Sequence, residues 1–484
     1  MSVGQRAVGA VLWSATQQTG GKVISFAVFI ALSRLLDAPD FGVIAMASAA
    51  VGFLQLFATH GFGAALIQKQ RLDGLDIDTA FWGGVMFNVL MFSVSILCAP
   101  LVAHLFSVPE LEPVVRWLSL AFLFSALSQI PTALLQRDFA FKALAVRGLI
   151  AATVGGAAGI AMALSGFGVW SLVVKQLVGS AASVVLLWGQ TAWRPRMRFS
   201  RAHFGDLFRF GFPLGLTSVV EFVAKRSDDI LIGYFLGATV LGYYSIAYRL
   251  ITILTEFCVK TINSVAWPFF ARMQQNTNEL RDAVYMAARG VGAITYPAFA
   301  FVAVAAPEIV HTVFGAKWES SVVLVQVLAF VGILNSQLPL FDSVMVAMGR
   351  TGWRLFGRFA IGVACVSGFA VAVNWGITAV AAAYVIGNYV IAPLFFVLAG
   401  RLVGLRPSTY FAQQWGLLVA AGGMAAVVVA VKTVVNAQPF GWLALAGYML
   451  VASVSYVSLM RILAPTAYGE VRLHIGNIRA RAAA

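Results

Sequence analysis

The sequence predicts an all-α, polytopic membrane protein with about fourteen transmembrane helices. Hydrophobic residues make up 60% of the 484 residues and charged residues only 11%, and the mean hydropathy is +0.87. A soluble domain carries about 25% charged residues. Apolar runs of about 20 residues, the length that crosses a bilayer as a helix, recur along the whole chain. The alternating segments that build a membrane β-barrel do not occur in the sequence.

The apolar runs are bounded by charged or turn-forming residues. The predicted spans are residues 9–35, 41–67, 80–106, 114–136, 143–165, 168–189, 207–236, 240–264, 284–314, 320–347, 352–374, 377–400, 411–432 and 440–463. The first run is too long for a signal sequence and is expected to remain as a membrane helix. Cys98, Cys258 and Cys365 each lie within an apolar run, which indicates buried thiols rather than disulfides or a metal site.

Lysine and arginine are distributed unequally between the two sides of the predicted spans. Of the 33 basic residues, 23 fall on the side that would hold both termini, four on the other side and six within spans. Cytoplasmic loops carry the excess of lysine and arginine, so both termini are predicted to be cytoplasmic. The same bias accounts for the formal net charge of +14, which therefore does not indicate nucleic-acid binding.

Four groups of residues recur in the same order at offsets of 200 to 208. The matches are Leu36, Ala38 and Gly42 with Leu236, Ala238 and Gly242; Ala99 and Pro100 with Ala306 and Pro307; Ser128 to Pro131 with Ser336 to Pro339; and Gly168 with Gly376. Each copy would hold six spans, an even number, so both copies enter the membrane in the same direction. The sequence therefore predicts two parallel six-helix lobes related by a pseudo-two-fold axis along the membrane normal.

The repeat and the charged loops divide the chain into five predicted parts. These are an N-lobe (1–193), a basic cytoplasmic linker (194–206), a C-lobe (207–402), two helices outside the repeat (403–464) and a basic cytoplasmic tail (465–484). Within the C-lobe, Asn276 precedes Glu279 by three residues, which is a helix-start pattern. We therefore expect a short surface helix from Asn276 to Arg289.

Predicted helices 7 and 8 carry many ionisable residues for membrane spans. Each such residue costs about 2.5–3.5 kcal/mol at the centre of a bilayer. The residues are Glu221, Lys225, Arg226, Asp228, Asp229, Arg249, Glu256 and Lys260. Most of them are spaced along one face of their helix, so we expect them to line a wet cavity between the lobes. Static ion pairs that lock helix 7 to helix 8 are the alternative.

The corresponding helices of the first lobe add further polar residues. Gln18, Lys22 and Ser25 share one face of helix 1, and His60 lies on helix 2. Lys175, alone on helix 6, is a weaker candidate whose amine is expected to extend to the membrane surface. Walker-type phosphate loops, metal-ligand spacings and large external loops do not occur in the sequence, which argues against an enzyme.

Seven stretches together carry a family resemblance. They are Phe41 to Ala47, Gly61 to Gln68, Pro109 to Leu111, Pro131 to Arg137, Gly168 to Val173, Asp229 to Gly233 and Ala247 to Leu250. In this order they resemble bacterial polysaccharide exporters of the Wzx type, in the branch that includes the colanic acid exporter. The likeness covers residues 10–400 approximately. It implies the multidrug/oligosaccharidyl-lipid/polysaccharide (MOP) flippase superfamily, with two six-helix lobes in a V, in the bacterial inner membrane.

The resemblance also implies the cargo and the mechanism. Members of this branch move polyprenyl-diphosphate-linked oligosaccharide units to the periplasmic leaflet by alternating access, without catalysis, for exopolysaccharide or O-antigen assembly. Lysine and arginine suit a diphosphate. The expected substrate-binding residues are Gln18, Lys22, Lys225, Arg226, Arg249 and Lys260. The residues expected to pair charges or carry a coupling ion are His60, Glu221, Asp228, Asp229 and Glu256.

The expected partners follow from the same resemblance. They are the lipid-linked oligosaccharide, membrane lipids and a polysaccharide polymerase or assembly protein, with no nucleic acid, and the protein is expected to be a monomer. Apart from a coupling ion, H⁺ or Na⁺, no cofactor or metal is expected. A cation-coupled multidrug exporter of the same superfamily and a peptidoglycan lipid-precursor flippase are the alternatives. The multidrug exporter predicts more acids than bases in the cavity and usually twelve spans.

Overall fold

The computed structural model describes residues 20–58, 61–70, 72–435, 441–470 and 472. The side chains of residues 210–217, 220–221, 223–225, 259–269 and 435 fall outside this description. Throughout the described ranges the regular structure is helical and contains no β-strand. The predicted all-α membrane fold is therefore confirmed.

The helices follow one another with short connections. They are α1 (20–35), α2 (Ala38–Ala58), α3 (Phe62–Gln68), α4 (Gly74–Phe106), α5 (Leu111–Leu118), α6 (Leu120–Arg137), α7 (Phe141–Leu164), α8 (Trp170–Gln190), α9 (Arg201–Arg272), α10 (Thr277–Val304), α11 (Ala306–Ile309), α12 (Val322–Ala347), α13 (Thr351–Ala372), α14 (Ile377–Val403), α15 (Pro407–Val435), α16 (Trp442–Leu463) and α17 (465–470). A π-helical turn (Val310–Phe314) and two 3₁₀ turns (Ala316–Ser321 and Val373–Trp375) complete the described elements.

Twelve helices of the described part are long and apolar enough to cross a membrane. The predicted count of fourteen differs from this number at two places. Predicted helices 7 and 8 contribute one continuous apolar stretch, Arg226–Cys258, within α9. The beginning of predicted helix 1, residues 9–19, lies outside the described residues.

The long helix α9 is broken at Gly237. This residue has φ 83° and ψ 176°, a backbone conformation that side chains with a Cβ rarely adopt. The break separates a first limb (201–236) from a second limb (238–272) and corresponds to the loop that the sequence predicts between helices 7 and 8. A glycine at this position lets one residue adopt a non-helical backbone conformation while the residues on both sides stay helical.

The chain forms two compact units, Met1–Gly242 and Tyr243–Ala484. The sequence instead assigns residues 207–402 to one lobe, and the predicted lobe boundaries stay a prediction. In the first unit, α7 and α8 pack closely along their length. A Cβ at Gly155 would lie 2.6 Å from the Lys175 carbonyl oxygen, and one at Gly159 would lie 2.7 Å from Lys175 Cβ. Small residues at these positions let the two backbones approach, as is common between membrane helices.

In the second unit, α10 packs against α12 and α15. Tyr296 of α10 shares an apolar core with residues of α15 and α16, among them Met424 and Tyr448. Lys432 Nζ on α15 lies 2.8 Å from Glu308 Oε1 on α11. The two helices outside the repeat are thus fixed to this unit by both apolar and ionic contacts.

The predicted surface helix from Asn276 to Arg289 is not a separate element. Asn276 does begin a helix, since its Oδ1 accepts a hydrogen bond from the Glu279 N–H at 3.4 Å. That helix is α10, which runs without a break from the predicted surface segment into the predicted membrane span and ends at Val304. Arg289 instead contacts α17, because its Nε donates to Glu470 Oε2 at 3.2 Å.

Candidate functional site

The first unit contains a polar cavity made of two adjoining pockets of about 490 and 510 Å³. The pockets share Ser125, Ser128 and Ser183 along their common edge. Side chains from α1, α2, α6, α7 and α8 line the first pocket. Hydroxyl and amide groups dominate its polar lining, which suits a ligand rich in hydroxyl groups.

A polar stripe on α6 forms one wall of the cavity. Ser125, Ser128, Gln129, Thr132 and Gln136 follow one another at helical spacing and all line it. The Gln129 Oε1 atom is buried and accepts no hydrogen bond in the described part of the chain. A buried amide oxygen without a donor is costly, and in the present packing this atom is closed off from the cavity.

A second wall is the face of α8 that carries Lys175, Gln176, Ser180 and Ser183. The close approach of α7 and α8 fixes the position of the Lys175 backbone. Lys175 is half-buried and lines the first pocket. The sequence predicted that this lysine reaches for the membrane surface, whereas its side chain is part of the cavity wall.

Arg147 on α7 supplies the second cation. Its Nη1 donates to Thr132 Oγ1 at 3.0 Å, which orients the guanidinium toward the α6 stripe. Its Nε is buried and has no hydrogen-bond partner among the described residues. Arg147 precedes Gly155, which touches Lys175, by eight residues, or about 12 Å along the helix axis. The two cations therefore mark separate positions along the cavity.

The electrostatic character of the cavity is set by these two side chains. Lys175 and Arg147 are the charged residues among those that line the two pockets, and no aspartate or glutamate is among the lining residues. An anionic group in either pocket would meet cationic and neutral hydrogen-bond donors. The arrangement can bind a charged, hydroxyl-rich molecule.

The predicted residues of helix 7 lie in the first limb of α9. Arg226 Nη1 lies 2.6 Å from Asp229 Oδ2, an i,i+3 ion pair. Asp228 and Asp229 are only 3% and 6% exposed, and Asp228 Oδ1 accepts a hydrogen bond from the Asp229 N–H at 2.9 Å. Glu221 and Lys225 are in the same helix, but their side chains fall outside the description. This pair lies within one limb and does not join predicted helix 7 to predicted helix 8, so the predicted locking pairs stay a prediction.

The other predicted residues are distributed as follows. Arg249 and Glu256 are exposed on the second limb of α9, and the Lys260 side chain is not described. Lys22 is half-buried on α1, one turn before Ser25, which lines the cavity. Gln18 and His60 lie outside the described residues. A shared chamber for this set stays a prediction.

The α6 stripe is the functional feature that sequence reasoning missed. Its signal was present, because five hydroxyl and amide residues recur at helical spacing within an otherwise apolar span. Uncharged polar residues cost less free energy than ionised ones on insertion into a membrane, so their presence in a span is a weaker indication of a binding site. Arg147 lies only four residues inside the predicted span 143–165, so it is among the 23 basic residues assigned to the cytoplasmic side.

The all-helical fold, with twelve helices of membrane-spanning length in the described part of the chain, defines a multi-pass membrane protein. The chain belongs to the family described as polysaccharide biosynthesis protein, whose profile matches residues 31–323. The predicted resemblance is therefore confirmed at the level of the family.

Two relatives of known role are similar over much of their length. The lipopolysaccharide biosynthesis protein WzxC of Escherichia coli (strain K12) is 26% identical over 425 residues, which cover 86% of this chain and 85% of WzxC. The succinoglycan biosynthesis transport protein ExoT of Rhizobium meliloti (strain 1021) is 26% identical over 307 residues, 63% of this chain and 62% of ExoT. Both names concern the making of surface polysaccharides.

Among solved structures, the lipid II flippase MurJ in an inward closed conformation has the same fold. The TM-score is 0.77 at 12% identity, and the alignment covers 93% of this chain and 98% of MurJ. At this identity the likeness concerns the fold alone.

Proposed function

We propose that this protein moves polyprenyl-diphosphate-linked oligosaccharide units from the cytoplasmic to the periplasmic leaflet of the bacterial inner membrane, by alternating access. The observation that carries the proposal is the cavity of the first unit, with its hydroxyl and amide lining, two cations and no carboxylate among the lining residues. Sugars offer hydroxyl groups to such a lining, and a diphosphate offers negative charge to the lysine and arginine. WzxC and ExoT, which share 26% identity with this chain, are named for polysaccharide biosynthesis.

The physical problem that such a transporter solves is the crossing of about 30 Å of hydrocarbon by a charged, hydrated head group. Polar side chains along α6 and α8 replace part of the water that the sugars lose. Arg147 and Lys175 hold the diphosphate or a neighbouring anionic group while the lipid tail stays in the bilayer. No bond is formed or broken in this process.

The charged residues of α9 and α1 are proposed as a second part of the path. Lys22, Lys225, Arg226, Arg249 and Lys260, together with Gln18, would pass the diphosphate on. The acids Glu221, Asp228, Asp229 and Glu256, with His60, would set their charge states or carry a coupling ion, H⁺ or Na⁺. The Arg226–Asp229 ion pair fits this role, since a cation that is already paired binds phosphate less tightly and releases it more easily.

The proposal includes the orientation and the surroundings of the protein. The excess of lysine and arginine on one side supports cytoplasmic termini. A polysaccharide polymerase or assembly protein on the periplasmic side would consume the flipped unit, and the protein would act as a monomer.

The test is complementation of a strain that lacks this gene, with surface polysaccharide as the readout. Arg147→Gln and Lys175→Gln are each expected to lower export about tenfold or more, because a hydrogen bond to a charged group contributes about 1.5–3 kcal/mol. Arg461→Gln, which removes an exposed charge at the end of α16, is the matched control and should leave export unchanged.

The same strain separates the proposal from its rivals. A multidrug exporter would change drug susceptibility and leave the polymer unaffected. Wild-type export by both cavity variants, at normal protein levels, would remove the cavity from the transport path.

A further inference from the structure

The segment between α8 and α9 is fixed to the beginning of α4. Trp82 Nε1 donates to the Arg196 carbonyl oxygen at 2.8 Å, and the Arg196 N–H donates to Asp78 Oδ1 at 3.2 Å. The Ser200 N–H donates to Thr79 Oγ1 at 3.2 Å. The backbone of residues 196–200 is therefore held at both ends, and the predicted linker presents its side chains from a defined position.

One arginine of this segment has a structural role. The Arg194 guanidinium donates to the carbonyl oxygens of Thr191 and, at 3.1 Å, Trp188, and it lies 5.6 Å from the Trp188 ring centre. These are carbonyls at the end of α8, which lack partners within the helix. Arg194 thus caps the C-terminal end of α8, and its guanidinium has a structural role.

The neighbouring side chains are presented outward. Arg196, Arg198 and Arg201 are exposed, and no side-chain hydrogen bond or ion pair engages them within the described ranges. Between them, Met197 is 85% exposed, and Phe199 is 49% exposed with its ring centre 5.5 Å from that of Phe204. The Arg198 N–H donates to the Arg196 carbonyl oxygen at 2.7 Å, a tight turn that places Met197 at its tip.

The end of α8 gives the level of this surface relative to the bilayer. The apolar span of α8 ends at Gln190, so residues 196–201 begin six residues beyond a membrane helix. A surface at that level faces lipid headgroups. Arginines interleaved with apolar side chains are typical of segments that lie in the membrane interface.

We infer that Arg196, Met197, Arg198, Phe199 and Arg201 form a docking surface for anionic phospholipid. The arginines bind the headgroup phosphates, and Met197 and Phe199 insert between the acyl chains near the glycerol level. Charge complementarity and the exposed methionine and phenylalanine at membrane level favour lipid over an acidic soluble protein. This inference does not depend on the cargo that the protein carries.

The test is native mass spectrometry of the full chain in detergent, titrated with phosphatidylglycerol or phosphatidylcholine. Wild-type protein should bind phosphatidylglycerol more tightly. The variant R196Q/R198Q/R201Q should lose affinity for it by about fivefold per arginine removed, the contribution of one arginine near an anionic surface. Folding is checked for each variant by thermal unfolding.

Two further arms decide the outcome. The control R401Q/R406Q/R461Q removes the same number of exposed arginines elsewhere and should lose much less affinity. Equal losses in the two triple variants, or none in R196Q/R198Q/R201Q, would overturn the inference. Met197→Ser with Phe199→Ser should also weaken binding, and glycerol 3-phosphate should not compete. Competition by glycerol 3-phosphate would indicate a simple phosphate site and contradict lipid docking.

Discussion

Gly42 packs directly against the backbone of Ala238. A Cβ at Gly42 would lie 1.8 Å from the Ala238 carbonyl oxygen, and a Cβ at Gly242 would lie 1.9 Å from the carbonyl oxygen of Ala38. These residues are the pairs that recur at an offset of 200 in the sequence. The two contacts are reciprocal, as a local two-fold relation between the beginnings of α2 and of the second limb of α9 would produce.

Gly42→Ala tests this close contact. The added methyl group meets backbone atoms, which cannot move aside as a side chain can, so we expect a loss of about 1–3 kcal/mol or more in stability. The measurement is the unfolding temperature of the purified protein, together with its yield. Gly422→Ala on α15 is the control, since nothing lies within 4 Å of the new methyl group there.

Gly242→Ala should resemble Gly42→Ala because the two contacts are reciprocal. In the double variant the losses should not add, since one displacement of the two helix beginnings relieves both clashes. Additive losses would show that the two contacts are independent.

Gly237→Ala tests the break in α9. Alanine at φ 83° and ψ 176° is strained, and such strain costs about 1–3 kcal/mol. We expect a lower unfolding temperature and reduced transport, because the two limbs can no longer keep their angle. Gly205→Ala in the first limb, where nothing lies within 4 Å, should have neither effect. Full stability of Gly237→Ala would mean that the break is set elsewhere.

The part of the fold that could be predicted from the sequence is the part that hydropathy determines. Apolar length identified the helices, because a span must satisfy all of its backbone groups by itself. Apolar length could not locate the break at Gly237, because glycine is common in membrane helices and a single one does not indicate a break. It also split α10 into a surface helix and a span, because the charges of its first turns end the apolar run.

The pair Glu308 and Lys432 offers a test of how α15 is attached. Both side chains are mostly buried, and Lys432 also donates to the Val304 carbonyl oxygen at 2.9 Å. Glu308→Gln leaves a buried lysine without its counter-charge, and we expect a loss of about 3 kcal/mol in stability. The reversed pair E308K/K432E should recover part of that loss in thermal unfolding. No recovery would mean that the surroundings, and not the pair, set the cost.

Ser180→Phe tests whether the cavity is used. The residue lines open space on α8, so a larger side chain fits without displacing the fold and blocks the path of the cargo. We expect surface polysaccharide to fall strongly at an unchanged protein level, because the phenyl ring occupies space that the cargo needs. Ser453→Phe on the exposed face of α16 is the control and should export normally. Normal export with Ser180→Phe would place the path elsewhere.

The candidate site was only partly predictable. Ionised residues stand out in a membrane span, so the sequence predicts the binding site on α9. In the structure, however, Asp229 pairs with Arg226 of the same helix. The cavity depends on which faces of α6, α7 and α8 meet, and one span read alone does not carry that information. Lys175 looked isolated in sequence because Arg147 and the α6 stripe join it only through packing.

The most direct test of the central claim follows the lipid-linked oligosaccharide itself. Purified protein in proteoliposomes is given this lipid on one leaflet, and a membrane-impermeant glycosidase measures its arrival on the other. Wild-type protein should make the oligosaccharide accessible, while R147Q/K175Q should keep it protected and R461Q should behave as wild type. Equal rates for R147Q/K175Q and wild type, or no arrival with wild type, would contradict the account.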